Sequence, residues 1–277
     1  MTVRHALRDT AQRLIAAGRE DGDAIARALI EEVVGAHGTQ LLLALDKELT
    51  PGQQAVLLEY ASRAEGGEPV QYILRSWDFY GRTFRTDPRA LIPRPETELL
   101  VEHALARLPA GAAAVLDAGT GTGCIGITLK LEQPVAQVTL CDVSADVLAL
   151  AGENATLLGA DVSLLRHDMR QPFPGGPYDM IVSNPPYITA EEMTDLSPVV
   201  GAHEPHLALY GGQDGLDFVR ALAQRALESL KPGGWLLLEV GWKQAVQAAE
   251  LLAGTLGFAQ TADDLAGIPR NVLARRD

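Results

Sequence analysis

Apolar residues recur at helical spacing through the first 65 positions: Val3, Leu7, Leu14 and Ile15, then Ile25, Leu29, Ile30, Val33 and Val34, then Leu41 to Leu45, with charges between them. That period, with no alternating stretch, predicts helices only. In "TPGQQAVLLEYASRA" Thr50 stands as an N-cap, Pro51 suits the first helical position and Gln53 completes a capping box, so a helix is expected to begin there. Residues 1–68 therefore read as a small helical bundle.

The texture changes after "EGGEP" at 65–69. "VQYILRSWDFYGRTFRT" sets aromatic and β-branched residues around Gly81, the pattern of a hairpin or short paired strands, and residues 69–92 are expected to form a β-hairpin linker. "LIPRPETELLVEHALARL" predicts a helix opening after Pro95, with Glu96 and Glu98 near its positive end. From residue 113 strand and helix patterns alternate, from "AAVLDAG" and "CIGITLKL" through "DMIVSN" to "GWLLLEVG" and "KQAVQAAELLAGTLG". Such alternation predicts an α/β domain over 93–277, a doubly wound, mostly parallel sheet with helices on both faces.

Composition narrows the function. The chain has 277 residues, 47% of them hydrophobic, and a formal net charge of −13. It can bury a large core, and its acidic balance counts against binding nucleic acid through phosphates. Only Cys124 and Cys141 are cysteines, the first residues hold no apolar signal core, and "LLLAL" at 41–45 is far shorter than a membrane span. A cytoplasmic protein with reduced thiols is expected.

Two segments carry the chemistry. The first strand runs into "GTGTGCIG". Gly121 to Gly126 satisfy G-x-G-x-x-G with Asp142 about twenty residues on, which formally meets a dinucleotide fingerprint. The same stretch also reads D-x-G-x-G-x-G: Asp117, Gly119, Thr120, Gly121, Thr122, Gly123. That pattern resembles the first motif of S-adenosylmethionine (AdoMet) dependent methyltransferases. A carboxylate before the loop repels a pyrophosphate but suits a ligand that carries an ammonium, a sulfonium and no phosphate, so Asp117 favours AdoMet. Asp142 suits ribose hydroxyls with either ligand, or caps the helix that follows it. Thr120 and Thr122 are candidate donors to the ligand carboxylate. Asp168 and Met169 follow the third strand and are candidates for the adenine site, where Asp168 reads equally as a surface turn.

The second segment is "DMIVSNPPYI". A β-branched run stops on Asn184, Pro185, Pro186 and Tyr187, and the prolines forbid both a helix and further pairing, so a stiff loop at the carboxyl end of a strand is expected. If that strand lies beside the first, the loop faces the glycine loop across the ligand crevice. An NH2 group conjugated to a carbonyl or ring is a poor nucleophile. The Asn184 side-chain oxygen and the Pro185 carbonyl can each accept one of its N–H groups, which orients the nitrogen and stabilises the charge that develops on it, while Tyr187 can stack on its flat face.

With these motifs the chain resembles N-amino methyltransferases of the NPPY group. "EPVQYIL", "LIPRPETELLVE", "LDAGTGTGCIGI", "SNPPYI", "EPHLALYGGQDGLDF", "GGWLLLEVGW" and "DLAGIPRNVLARR", in this order, are similar to the release-factor glutamine methyltransferases of the HemK or PrmC type. The resemblance spans nearly the whole chain. It implies a Rossmann-like class I AdoMet methyltransferase domain behind an N-terminal helical domain that recognises the substrate protein. It also implies AdoMet as cofactor, with S-adenosylhomocysteine as product, and as acceptor the glutamine of the Gly-Gly-Gln motif in class 1 peptide chain release factors, methylated on its side-chain nitrogen. The chain is then expected to act as a monomer, with no direct nucleic-acid or membrane partner. AdoMet contacts are implied at Gly119 to Gly123, Asp142, Met169 and Asn184, and contacts to the glutamine at Asn184 to Tyr187. Arg75 stands where the family usually has glycine. Arg94 and Glu96 suit helix capping and domain packing at least as well as substrate contact.

A methyltransferase acting on a nucleic-acid base is the rival reading, and it requires a basic groove or a separate recognition domain. Gly211-Gly212-Gln213 spells the substrate motif within the enzyme, yet its position predicts an ordinary helix start. "HEPH" at 203–206 lacks a fourth ligand for a metal, and none is expected.

Overall fold

The structure, a computed structural model, describes residues 1–277 apart from the side chain of Pro198. It divides into two compact units, Met1–Ser76 with Ser197–His203, and Trp77–Leu196 with Glu204–Asp277.

The first unit holds helices α1 (Val3–Ala16), α2 (Gly22–Val34), α3 (Thr39–Ala44), α4 (Pro51–Glu65) and α5 (Val70–Leu74). Their apolar stripes meet in one core built on Leu14, Leu29, Ile30, Leu41, Leu57 and Ile73. The box at α4 forms as expected: the Gln53 amide donates to the Thr50 hydroxyl oxygen at 3.2 Å, and the Thr50 amide donates to Gln53 Oε1 at 2.9 Å.

One element differs from expectation. Val70–Leu74, expected to be extended, is a helical turn started by Pro69, and it buries Tyr72 and Ile73. Packing of Ile73 into the bundle core overrides the β preference of its composition. The turn ends on Arg75 at φ 56° and ψ 27°, the left-handed region. A side chain there costs roughly 1 kcal/mol. Arg75→Gly is expected to raise unfolding free energy by at most about 0.5 kcal/mol, the relief of that strain less the extra freedom of glycine in the unfolded chain. Urea denaturation at constant m checks it, and a loss of stability would show that the Arg75 side chain contributes more than its backbone costs.

The second unit opens with the hairpin β1 (Ser76–Phe79) and β2 (Arg82–Arg85), then α6 (Thr97–Leu105), β3 (Ala114–Ala118), α7 (Cys124–Glu132), β4 (Gln137–Asp142), α8 (Ala145–Leu158), β5 (Ser163–Arg166) and β6 (Tyr178–Ser183). After α9 (Pro198–His203), which belongs to the first unit, come α10 (Asp217–Ser229), β7 (Leu230–Glu239), α11 (Ala245–Leu256), β8 (Gly257–Asp263) and β9 (Pro269–Arg276). From Trp77 on, the hairpin clusters with this unit.

Seven strands form one sheet in the order β5-β4-β3-β6-β7-β9-β8. β3 to β7 run parallel, and β9 pairs antiparallel with both β7 and β8. Period-2 alternation sends Val115, Met180, Val182 and Leu237 to the face covered by α6, α7 and α8, and Leu116, Ile181, Leu236 and Leu238 to the face covered by α10 and α11. The register of β3 beside β6, with Val115 opposite Met180, places the two motif-bearing strands side by side. From β3 the chain winds outward through β4 and β5, then returns across it to β6, so β3 and β6 flank the point where strand order reverses. Ligands of open α/β sheets bind beyond the strand ends at that point.

Candidate active site

At those strand ends a crevice of about 250 Å³ opens between the glycine loop, the loop after β5, the segment 89–97 and the Asn184 loop. The loop after β3 is held from below. Amides of Gly119 and Thr120 both donate to the Cys141 carbonyl, at 2.8 and 2.9 Å, which ties it to β4. Asp142, at the end of β4, accepts the Gly121 amide on Oδ2 at 3.4 Å and the Ser144 amide on Oδ1 at 3.0 Å. Its carboxyl lines the crevice, and burial pushes its pKa above the ordinary range. The N-cap of α8 is Ser144, whose hydroxyl oxygen accepts the Val147 amide, so capping does not occupy Asp142.

Asp117 lies elsewhere than on the crevice wall. It is fully buried beneath the loop, where Oδ2 accepts the Thr120 hydroxyl at 2.6 Å and the Gly126 amide at 3.0 Å, and Oδ1 has no partner among the described residues. Burial pushes its pKa up to about 6. The geometry makes it a brace between loop and helix rather than a surface for ligand. Thr120 and Thr122 reach the crevice, although the Thr120 hydroxyl is already engaged by Asp117.

Gly119, Asp168 and Met169 meet on the wall. Gly119 is at φ 74°, the left-handed region that favours glycine, and it packs against Met169, whose flexible tip a methyl built there would displace. The Asp168 carboxylate is gripped by Arg170, through Nε at 3.0 Å and Nη2 at 2.7 Å, and that ion pair holds its pKa below the ordinary value.

Asn184 and Pro186 line the crevice; Pro185, Tyr187, Gly121 and Gly123 are not among its lining residues. The Asn184 Nδ2 donates to Thr97 Oγ1 at 3.3 Å. Behind the loop, Gln244 Nε2 donates to the Tyr187 carbonyl at 2.8 Å, and burial pushes the Tyr187 phenol up to about 12. Ile188 pairs with Tyr210 as an isolated bridge, which brings Gly211 against the loop: a methyl on Gly211 would come within 2.6 Å of the Pro186 carbonyl. "YGGQDG" is therefore packed against the NPPY segment, and Gln213 within it is exposed. A plain helix start, the expectation for this segment, understates it; glycines spaced beside a rigid loop are the signal that points to the packing.

Arg94 also reaches the crevice. Its Nη2 donates to both oxygens of buried Glu204, at 2.7 and 2.8 Å, which fastens the "IPRPE" segment to the chain after α9. Thr97, from the same segment, carries no signal of its own in the sequence, and neither do Leu207 and Phe218, which complete the wall. Among the described residues no three His, Cys, Asp or Glu side chains come together as a metal site, and no helix is long and apolar enough to cross a membrane.

A family model described as "Methyltransferase small domain" matches residues 95–198, and one described as "PrmC N-terminal domain" matches residues 5–74. Curated relatives align from end to end. The release factor glutamine methyltransferase of Cereibacter sphaeroides is 43% identical, covering 99% of each chain. That of Geobacter sulfurreducens is 41% identical over 99% of this chain and 96% of its own.

The chain belongs to the release factor glutamine methyltransferase family.

Solved structures agree on the fold of this family member. A methyltransferase from Pyrococcus furiosus superposes with a TM-score of 0.54 at 18% identity, covering 82% of this chain and 99% of that one. A T. Thermophilus 16S rRNA N2 methyltransferase in complex with AdoMet and guanosine gives 0.53 at 21%, covering 73% and 50%. The doubly wound sheet is thus that of a class I methyltransferase.

Proposed function

We propose that this protein transfers the methyl group of AdoMet to the side-chain amide nitrogen of the Gly-Gly-Gln glutamine in class 1 peptide chain release factors. The observation that carries the reading is the Asn184 loop: a primary-amide recognition group, stiffened by two prolines and fastened from behind, on the same crevice as the glycine loop.

The crevice suits AdoMet. The Asp142 carboxyl keeps lone pairs free for ribose hydroxyls beside the two amides it accepts, and Ile125, Val143, Val147 and Met169 offer apolar wall to a nucleoside. Gly119 to Gly123, Asp142, Asp168, Met169 and Asn184 would hold the cofactor, which when bound supplies an electrophilic methyl carbon. The chain's own residues deal with the acceptor. Asn184 Oδ1 and the Pro185 carbonyl accept its two N–H groups, so the nitrogen lone pair is aimed and the charge developing on nitrogen is met by dipoles already in place. Tyr187 backs the loop, its carbonyl held by Gln244. No base precedes transfer, since the proton leaves after nitrogen becomes cationic. The helical domain, residues 1–68, grips another part of the factor, and the enzyme works as a cytoplasmic monomer.

The test is transfer of labelled methyl from AdoMet to a purified class 1 release factor, beside the same factor with its Gly-Gly-Gln glutamine changed to alanine, and beside DNA and RNA. Label on the unaltered factor alone is expected. Label on nucleic acid instead would move the function to base methylation and leave fold and cofactor standing.

A further inference from the structure

Glu239 ends β7 directly behind the Asn184 loop, and the chemistry proposed for the crevice does not use it. Its side chain is 3% exposed. Oε2 has no hydrogen-bond partner among the described residues, and neither does the side chain of Asn271, its neighbour across the β7–β9 ladder. A buried carboxyl in a sheet is costly, so its surroundings need a reason. Two donors face it, the Thr97 hydroxyl and the Asn184 side-chain amide. Burial acts most strongly on this group and pushes its pKa up to about 7, while those two hydrogen bonds hold it down, together with the Arg270 charge, and the Glu96 charge raises it.

The arrangement decides which way the Asn184 amide points. Thr97 Oγ1 accepts from Asn184 Nδ2 at 3.3 Å, and the Thr97 hydroxyl faces the Glu239 carboxyl. With the nitrogen turned inward, it donates to Thr97 and faces the Glu239 carboxyl, and Oδ1 is the atom left for the crevice. The flipped amide would set its oxygen against the ionised form of the Glu239 carboxyl and offer N–H groups to an acceptor that needs a lone pair.

We propose that Glu239 and Thr97 are positioning residues that hold the Asn184 amide nitrogen inward, so that its oxygen faces the nitrogen to be methylated. The role of the oxygen rests on the function proposed above; the orientation itself does not.

The tests separate the two. In methyl transfer to release factor, Glu239→Gln is expected to lower kcat at least tenfold while AdoMet affinity by calorimetry moves less than threefold, because a glutamine nitrogen at this place accommodates the flipped amide. Thr97→Val is expected to do the same, and Thr97→Ser, which keeps the hydroxyl, to recover most of that loss. A general loss of packing would instead lower melting temperature and every kinetic constant together, and would overturn the positioning role.

Independently of any acceptor, the side-chain 1H–15N pair of Asn184 is assigned in the full-length protein by its disappearance in Asn184→Ala. In the unaltered protein it is expected to exchange with water at least tenfold more slowly than in Glu239→Gln, or in Thr97→Val if the first variant does not fold. Equal exchange and equal kcat in variant and parent would overturn the positioning role. A parent that is inactive on release factor but shows the protected pair would overturn the substrate and leave the positioning standing.

Discussion

Asn184→Ala is expected to lower kcat for methyl transfer on the order of a hundredfold to a thousandfold, while the dissociation constant for AdoMet rises by no more than about tenfold. The asymmetry follows from what the side chain meets. Its nitrogen is engaged behind the loop by Thr97, and its oxygen is the group that can accept from an incoming amide. A conjugated amide nitrogen gains positive charge only as the new bond forms, so an acceptor aimed at its N–H groups interacts more strongly in the transition state than with bound substrate. Alanine removes that difference and leaves the glycine loop and Asp142 untouched. It also strips a donor from Glu239, which is expected to cost about 1–3 kcal/mol of stability, so assays belong well below the melting transition. Single-turnover rates and calorimetric titration with AdoMet check the split. Equal losses in both would assign Asn184 to cofactor binding alone.

Much of this site is legible in the amino-acid sequence because its two motifs need unusual residues. Two prolines after Ile181-Val182 admit only a stiff strand ending, and β6 does end at Ser183. The inference that this strand neighbours the first rests on fold logic, and the β3–β6 register bears it out. What stays hidden depends on contacts between distant segments. Thr97 in a helix start, Glu239 at a strand end and Gln244 before α11 look unremarkable singly, and only the fold brings them to one loop. Asp117 shows the opposite failure. Its place in the motif suggests a charge facing the ligand, yet the turn it precedes rises over it, and its Oδ2 is engaged by the loop and by α7 while Oδ1 stays buried without a partner among the described residues. Val70–Leu74 misleads because β-branched composition reports a half-buried surface, which a helical turn against a bundle also provides.

Gly215→Ala is expected to be the most damaging single-methyl change in the catalytic unit. Its φ of 74° is left-handed, which alone costs an alanine roughly 1 kcal/mol. The methyl would also land inside the van der Waals envelopes of Gln244 Nε2 and the Tyr187 carbonyl oxygen, the two atoms that share a 2.8 Å hydrogen bond. Neither is a free end that swings away cheaply. Gln244 is 8% exposed, its Oε1 accepts the Gly241 amide at 2.9 Å, and its Nε2 also donates to the Asp214 carbonyl. To admit the methyl, Gln244 must leave and three backbone groups lose a buried partner, or the Tyr187 carbonyl must move and carry the NPPY loop with it. Either route is expected to cost about 3 kcal/mol or more in unfolding free energy, and protein that remains folded should lose turnover, because Asn184 sits three residues from the displaced carbonyl. Gly254→Ala is the matched control. It lies in α11, where a methyl meets nothing within 4 Å, and should stabilise by about 0.5–1 kcal/mol with activity unchanged. Thermal melts and turnover of the two variants side by side read out the difference. Normal turnover in a folded Gly215→Ala would mean that the NPPY loop tolerates loss of its rear support, and that the prolines alone suffice to hold Asn184 in place.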